Sequence, residues 1–239
     1  TPGFIDGHLH PESSDLAIRP FAEAVLKHGT TSIMTDLHEV GVVGGLEGIE
    51  AVIEENQATD LNLYFVVPSH VPFSPALETS GGSFNPSIIR EALKRPDAVG
   101  ISECVGPYVL ADLPDLLESL DDVAGMKGMT AQGHLVDMKG ADLNKCAAAG
   151  ISTCHEALSA DEIMDRARVG VHAMLRESSA ARTLAQQLEC IVGKDIDTSM
   201  MSIVTDDLHC CDLNETGHLD HHLKLALSCG LPFVKAIQM

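Results

Sequence analysis

Eight short apolar runs rich in β-branched residues recur along the sequence, and a stretch with helical periodicity follows each of them. The runs span residues 3–7, 31–35, 61–67, 98–102, 129–133, 151–154, 170–175 and 201–205. Nearly continuous apolar strands joined by helices need cover on both faces, so this pattern favours a parallel β-sheet. The expected fold class is therefore α/β.

The number of strand–helix units favours a closed barrel. A (β/α)8 barrel of the TIM type takes about 250 residues, and this chain has 239. An open, doubly wound sheet is the alternative arrangement for the same pattern. Because no low-complexity linker or internal repeat divides the sequence, we expect residues 1–239 to form one barrel domain.

Charge and cysteine usage exclude several classes of partner. With 15 Lys and Arg against 35 Asp and Glu, the formal net charge of −20 would repel a nucleic-acid backbone or an anionic membrane surface. No apolar run reaches the roughly 18 residues of a membrane helix, and no export signal opens the sequence. The seven cysteines are scattered without a Cys-x-x-Cys pair. We therefore expect a cytoplasmic protein that binds neither nucleic-acid polymers nor membranes.

Titratable residues follow almost every apolar run. In a barrel the active site lies at the carboxyl ends of the strands, so these residues would converge at one mouth. They are His8, His10, Asp36, His38, Glu39, His70, Glu103, His134, His155, Glu156, Arg176, Glu177, Asp206 and Asp207. The sequence therefore predicts a polar site at this end of the barrel.

The pair His8 and His10 indicates a metal site. Residues two apart on a strand point the same way, so both imidazoles could bind one ion, although two exposed polar histidines would give the same spacing. Later runs end in two further imidazoles and two carboxylates, from His134, His155, Glu103 and Asp206. Four imidazoles and two carboxylates are the ligands expected for two divalent ions, and they suit Zn, Fe or Mn.

Motifs along the whole chain match one family in order. The segment PGFIDGHLH at 2–10 resembles the first strand of the metal-dependent amidohydrolase superfamily. The further segments are HPESS at 10–14, HGTT at 28–31, DLHE at 36–39, GH at 133–134, DLN at 142–144, HE at 155–156, RESSAA at 176–181, TDDLH at 205–209, GHLD at 217–220 and AIQM at 236–239. Together they resemble the bacterial adenine deaminases, which implies the TIM-type barrel of that superfamily.

The resemblance implies a binuclear metal site and its ligands. The implied ligands are His8, His10, Glu103, His134, His155 and Asp206, and the implied ions are Mn or Fe, with Zn as an alternative. Glu103 stands at the strand-4 position where many amidohydrolases have a carboxylated lysine. Two segments depart from the family pattern. Residues 135–137 read Leu-Val-Asp rather than Ala-Pro-Gly, and Leu208 replaces a usual basic residue.

The implied activity is hydrolysis of adenine to hypoxanthine and ammonia. Two divalent ions lower the pKa of a shared water, so a metal-bound hydroxide is the expected nucleophile. The expected catalytic residues are Asp206 as proton acceptor and donor, His155 as an orienting ligand and Glu103 as the bridging ligand. The alternatives are another amidohydrolase that cleaves a cyclic amide or related C–N bond, and a catalytically silent fragment.

Five further residues are candidates for substrate binding. Asp36, His38 and Glu39 follow the second run, where they could contact a purine base or form a structural hydrogen-bond network. Glu156 and Arg176 are weaker candidates, since Arg176 could instead pair with Glu177 or another carboxylate. A small purine base is thus the expected partner, and the oligomeric state stays open, a homo-oligomer included.

Three other features received simpler interpretations. The flanking terminal domains of the family are expected to be absent, because the sequence begins on the first strand and stops where relatives continue. The run His209-Cys210-Cys211 lacks regular ligand spacing and is interpreted as partly buried packing beside the eighth strand. His218, His221 and His222 are interpreted as a solvated helix face.

Overall fold

The structure, a computed structural model, describes residues 2–74, 76–79 and 81–239. Eight parallel strands form one sheet in sequence order. The strands are β1 (Phe4–Asp6), β2 (Thr30–Thr35), β3 (Asn62–Pro68), β4 (Ala98–Val105), β5 (Thr130–His134), β6 (Thr153–Cys154), β7 (His172–Arg176) and β8 (Met201–Val204). A parallel bridge between Leu9 and Asp206 joins the two ends of the sheet. The predicted barrel is confirmed, since the strand order lacks the reversal of a doubly wound sheet.

Each connection between neighbouring strands carries at least one helix. The helices are α1 (Ile18–Lys27), α2 (His38–Asn56), α3 (Pro86–Ala92), α4 (Gly106–Leu110), α5 (Pro114–Ala124), α6 (Gly140–Ala148), α7 (Ala160–Arg168), α8 (Leu184–Gln187), α9 (Cys210–Glu215), α10 (Leu219–Ser228) and α11 (Phe233–Gln238). Local sequence fixes several helix starts. The Asn85 side chain accepts the backbone N–H groups of Ser87 and Ile88 ahead of α3, and Pro86 fills the first helical position. Among the described residues, no helix has the length and apolarity needed to cross a bilayer.

Apolar side chains of strands and helices pack in three clusters around the barrel. The largest cluster joins strand residues such as Phe65 and Ile101 to Ile49 of α2 and Leu120 of α5. Polar side chains are also buried, among them Asp6 and Gln132. The apolar packing secures the strands, while buried polar groups concentrate near the mouth of the barrel.

The seam between β1 and β8 depends on a buried carboxylate. One backbone hydrogen bond crosses it, from Asp206 N–H to His8 O at 3.1 Å. The Asp6 carboxylate supplies the other hydrogen bonds between the two strands. It accepts the Thr205 hydroxyl at 2.7 Å and the Thr205 N–H at 3.3 Å. Burial raises the pKa of Asp6 to about 7, against the opposing effect of these donors.

Two histidines of the predicted solvated face are buried instead. His218 Nδ1 lies 2.8 Å from the Thr30 hydroxyl, and His222 Nε2 lies 2.7 Å from the backbone oxygen of Glu177. Both side chains are almost inaccessible, and only His221 is partly exposed. The prediction was wrong because His218 precedes α10 and is not on the helix, while His222 lies on the buried side of α10 with Leu219 and Ala226.

We predict that Gly100→Ala destabilises the barrel strongly. Gly100 has φ +151° in β4, and an added Cβ would lie 1.9 Å from the backbone oxygen of Thr130 in β5. The two strands would have to separate, so the free energy of unfolding should fall by about 2 to 3 kcal/mol. Urea unfolding measures the change. Gly44→Ala is the matched control, because its Cβ would enter open space; equal losses in both variants would contradict the prediction.

Candidate active site

A cavity of about 190 Å³ lies at the carboxyl ends of the strands. Its lining residues are His10, His38, Glu39, Glu103, His134, His155, Glu156, Arg176, Asp206 and Asp207. Nine of these ten have a predicted metal, catalytic or substrate-binding role, and Asp207 was predicted to lie at the same mouth without a specific role. The two other predicted residues, His8 and Asp36, are buried in contact with this lining. The eleven residues predicted as metal ligands, catalytic groups or substrate-binding groups therefore lie in one cluster, whereas His70, predicted for the same mouth, is buried against Phe73 and does not line the cavity.

His8, His10 and Asp206 form the first group that could hold an ion. Asp206 Oδ1 lies 3.5 Å from His8 Nε2 and 3.6 Å from His10 Nε2. These separations are too long for hydrogen bonds, and the buried His8 Nε2 has no hydrogen-bond partner. Two imidazole nitrogens and a carboxylate oxygen thus face one point without forming hydrogen bonds to each other.

Glu103 connects this group to a second one. Its Oε1 lies 3.7 Å from both His8 Nε2 and His155 Nε2, and its Oε2 lies 2.9 Å from His134 Nδ1. Glu103 belongs to β4 itself rather than following it, at φ 55° beside an irregularity in the pairing of β4 with β5. This left-handed conformation is uncommon for a residue with a side chain and marks a functional constraint. The distorted strand directs the carboxylate between the two groups.

His134, His155 and Glu156 lie together on the other side of Glu103. Glu156 Oε1 is 3.2 Å from His155 Nε2 and 3.5 Å from His134 Nδ1. The His155 ring stacks on the His8 ring at 3.8 Å with an interplanar angle of 17°. Burial, helped by the nearby His8, lowers the pKa of His155, which favours the neutral imidazole that a metal ligand requires.

The charges of the cluster fit a bound cation. Burial opposes ionisation of Glu103, but His155 and His134 hold its pKa well below the usual range. Burial likewise opposes ionisation of Asp206, and His8 and His155 lower its pKa. Both carboxylates are therefore ionised, and Glu103 Oε1 is buried without a hydrogen-bond partner. Ionised carboxylates and unpaired imidazole nitrogens are the donor set that divalent transition ions prefer.

The three candidates that follow β2 have different environments. Asp36 Oδ1 lies 2.9 Å from His10 Nδ1, so Asp36 orients a candidate ligand rather than facing the cavity. His38 lines the cavity and packs on the Phe73 ring at 4.1 Å. Glu39 also lines the cavity, and its backbone N–H donates to Glu12 Oε1 at 3.2 Å. His38 and Glu39 can therefore contact a ligand in the cavity.

Arg176 holds two carboxylates of the cluster. Its Nη1 and Nη2 donate to the two oxygens of Glu156 at 2.8 and 3.0 Å. Nη1 also donates to Asp206 Oδ2 at 2.5 Å. Glu177, the other partner considered, instead accepts the backbone N–H of Leu184. Such a two-pronged pair fixes geometry, so Arg176 orients Asp206 and Glu156 relative to each other.

Sequence reasoning missed two residues that orient the site. Gln132 Oε1 lies 3.0 Å from His8 Nδ1, and its amide donates to the backbone oxygen of Gly7 at 3.1 Å. A signal existed, since Gln132 precedes His134 by two residues on β5 and so points the same way. Arg166 is fully buried on α7 and donates to Leu135 O at 2.8 Å, just after His134. No pattern distinguishes it from an exposed helical arginine.

Comparisons with known proteins agree with the motif-based resemblance. No protein-family model matches the chain. The chain is 38% identical to an adenine deaminase of Bacillus licheniformis and 36% identical to one of Clostridium botulinum. Each similarity covers 100% of this chain but only 41% and 40% of the respective relative. The resemblance to adenine deaminases is confirmed, and the chain spans about two fifths of the length of these relatives.

Solved structures with low sequence identity share the fold. An N-acetyl-D-glucosamine-6-phosphate deacetylase from Mycobacterium smegmatis superposes with a TM-score of 0.61 at 13% identity, over 99% of this chain and 72% of that one. A TatD family hydrolase from Entamoeba histolytica gives a TM-score of 0.57 at 13% identity, over 87% of this chain and 74% of that one. At such identities the likeness supports the barrel fold alone.

We predict that Gln132→Ala weakens metal binding without unfolding the chain. Losing the contact with His8 Nδ1 frees that ring to rotate, and lost orienting contacts typically lower metal affinity by about 10- to 100-fold. Titration with Mn²⁺, followed by isothermal calorimetry, measures the effect. Gln186→Ala, at an exposed position of α8, should bind like the unaltered chain. Unchanged affinity in Gln132→Ala would refute the orienting role.

Proposed function

We propose, from its similarity to adenine deaminases along its whole length, that this chain forms the catalytic barrel of a hydrolytic deaminase. Adenine would be the substrate, and hypoxanthine and ammonia the products. The observation that carries the proposal is the position of Glu103 between two groups of imidazoles at the edge of one cavity. The relatives' name alone would not suffice, because it belongs to proteins of more than twice this length.

The proposed cofactor is a pair of divalent ions, Mn or Fe, with Zn as the alternative. His8, His10 and Asp206 would hold one ion, and His134 and His155 the other. Glu103 would contribute to both, since its two oxygens contact histidines of both groups. When bound, the pair supplies an activated water at neutral pH. The unpaired Nε2 of His8 and Oε1 of Glu103 support this assignment.

Asp206 is the proposed proton carrier. It lines the cavity, is ionised and can therefore accept a proton from the attacking water and deliver it to the departing amine. Arg176 would keep the carboxylate in one orientation through its contact with Oδ2, while Oδ1 faces His8 and His10. His155 would remain neutral and serve as an orienting ligand.

Substrate recognition is assigned to polar groups on two sides of the cavity. His38 and Glu39 lie on the β2 side and would contact the ring nitrogens of the base. Glu156 and Arg176 lie on the opposite side, where their mutual pairing leaves them a mainly orienting role. A cavity of about 190 Å³ accommodates a small ligand rather than a polymer.

The two departures from the family pattern lie away from the cavity lining. Leu135 and Leu208 are both buried, and neither lines the cavity. Their substitution therefore alters packing near the site without replacing a group that faces a ligand.

The test is metal content and turnover of the chain reconstituted anaerobically with Mn or Fe. We expect about two ions per chain and conversion of adenine to hypoxanthine with release of ammonia. Glu103→Gln should bind less metal and lose turnover, because it removes the charge shared by both groups. Glu54→Gln, on the exposed side of α2, is the control and should match the unaltered chain.

Other outcomes would each overturn a different part of the proposal. Two bound ions with hydrolysis of cyclic amides but not of adenine would refute the substrate. Failure to bind metal would refute the enzyme assignment and leave a binding or structural role for the chain.

A separate variant tests the role of Asp206. We predict that Asp206→Asn lowers kcat by about 10²- to 10⁴-fold, the usual contribution of a proton-transfer group. Mn²⁺ binding should decline much less, because the asparagine oxygen can still coordinate. Steady-state kinetics with metal analysis of each sample separates the two effects. Asp195→Asn, at an exposed position, is the control, and full activity in Asp206→Asn would exclude the proposed role.

A further inference from the structure

Three metal-binding side chains lie together just beyond β8 and outside the cavity lining. They are His209, Cys210 and Cys211, and one donor atom from each falls within 4.8 Å of the others. Cys210 Sγ is 4.0 Å from His209 Nδ1. Both cysteines are free thiols, Cys210 partly exposed and Cys211 exposed. His209 and Cys210 are partly buried, as predicted, and the three donors also converge near solvent.

The histidine of this cluster is oriented for ligation. His209 Nε2 lies 3.2 Å from Asp15 Oδ2, and His209 Nδ1 lies 4.0 Å from Cys210 Sγ, so the second ring nitrogen is on the side of the thiols. A carboxylate that holds the far nitrogen of a metal-binding imidazole is a recurrent arrangement in metal sites. Nδ1 accepts the backbone N–H of Cys211 at 3.2 Å and so caps the start of α9, and a bound ion would replace this hydrogen bond.

The backbone around the cluster is already fixed. The His209 N–H donates to Ser179 Oγ at 2.9 Å, and Ser179 Oγ donates to Asp212 Oδ2 at 2.6 Å. Arg182 holds the other oxygen of Asp212 at 2.9 Å. These bonds tie the start of α9 to the segment after β7. The backbone that carries the three donors is therefore held in place.

The donor chemistry differs from that of the barrel site. Two thiolates and an imidazole select soft or borderline ions such as Zn²⁺ and Cd²⁺, whereas imidazole with carboxylate also suits Mn and Fe. The neighbouring Cys210 raises the pKa of the Cys211 thiol, because two adjacent negative charges repel each other. A cation relieves that repulsion and releases protons as it binds.

We propose that His209, Cys210 and Cys211 form a second metal site, which binds one thiophilic divalent ion with solvent in the remaining position. The site is independent of the deaminase proposal, since its donors include none of the barrel ligands. It begins three residues after Asp206, so an ion there would also restrain the segment that carries this residue.

The test uses Cd²⁺ titration of the full chain already loaded with Mn. Thiolate coordination produces a ligand-to-metal charge-transfer absorption in the ultraviolet, and none of the proposed barrel ligands is a thiol. We expect one equivalent of Cd²⁺ to produce this absorption and Zn²⁺ to suppress it by competition. The double variant Cys210→Ser/Cys211→Ser should lose it, and His209→Ala should bind Cd²⁺ at least about tenfold more weakly.

Control variants keep this proposal separate from the deaminase proposal. Cys229→Ser removes a partly exposed thiol elsewhere and should retain the absorption. Glu103→Gln, which disrupts the barrel site, should also retain it. Absorption that persists in the double serine variant, or that is absent from the unaltered chain, would overturn the second site whatever the activity on adenine.

Discussion

The Glu103 carboxylate is the group on which the candidate active site depends. It is buried, and it contacts histidines that follow or end three other strands, His8, His134 and His155. A buried charge is costly unless partners surround it, and here the partners come from segments far apart in the sequence. Only closure of the sheet brings them together. The same carboxylate also requires a left-handed residue inside β4, so the barrel accepts local strain at its functional end.

Orienting contacts extend outwards from this centre. Gln132 contacts His8, Asp36 contacts His10, and Arg176 contacts both Asp206 and Glu156. Each contact fixes a side chain whose other face is turned towards the cluster. Such support determines whether a set of donors binds an ion tightly, because freely rotating ligands lose more entropy on binding.

Sequence patterns predicted the fold and the residues that lie together at the barrel mouth, for identifiable physical reasons. Apolar runs of strand length indicate buried strands. In a barrel, residues at the carboxyl ends of the strands, such as His155 and Arg176, lie together at one mouth. Patterns failed where the outcome depends on tertiary packing. An amphipathic helix does not reveal whether a polar position such as His222 or Arg166 faces solvent or fills a polar gap against the barrel. The position of Glu103 within β4 was equally hidden, since strand irregularities arise from pairing with neighbours.

The seam between β1 and β8 is a mechanical weak point of the barrel, and the candidate active site lies beside it. Asp6 and Thr205, whose contact closes the sheet, are 199 residues apart in the chain. Joining such distant residues carries a loop-closure entropy cost that local contacts elsewhere avoid. His8 and His10 lie on one side of the seam and Asp206 on the other, so an ion shared by them would act as a clasp on the ring of strands. Metal loading would then set how readily the first strand detaches from the last at the catalytic end of the barrel.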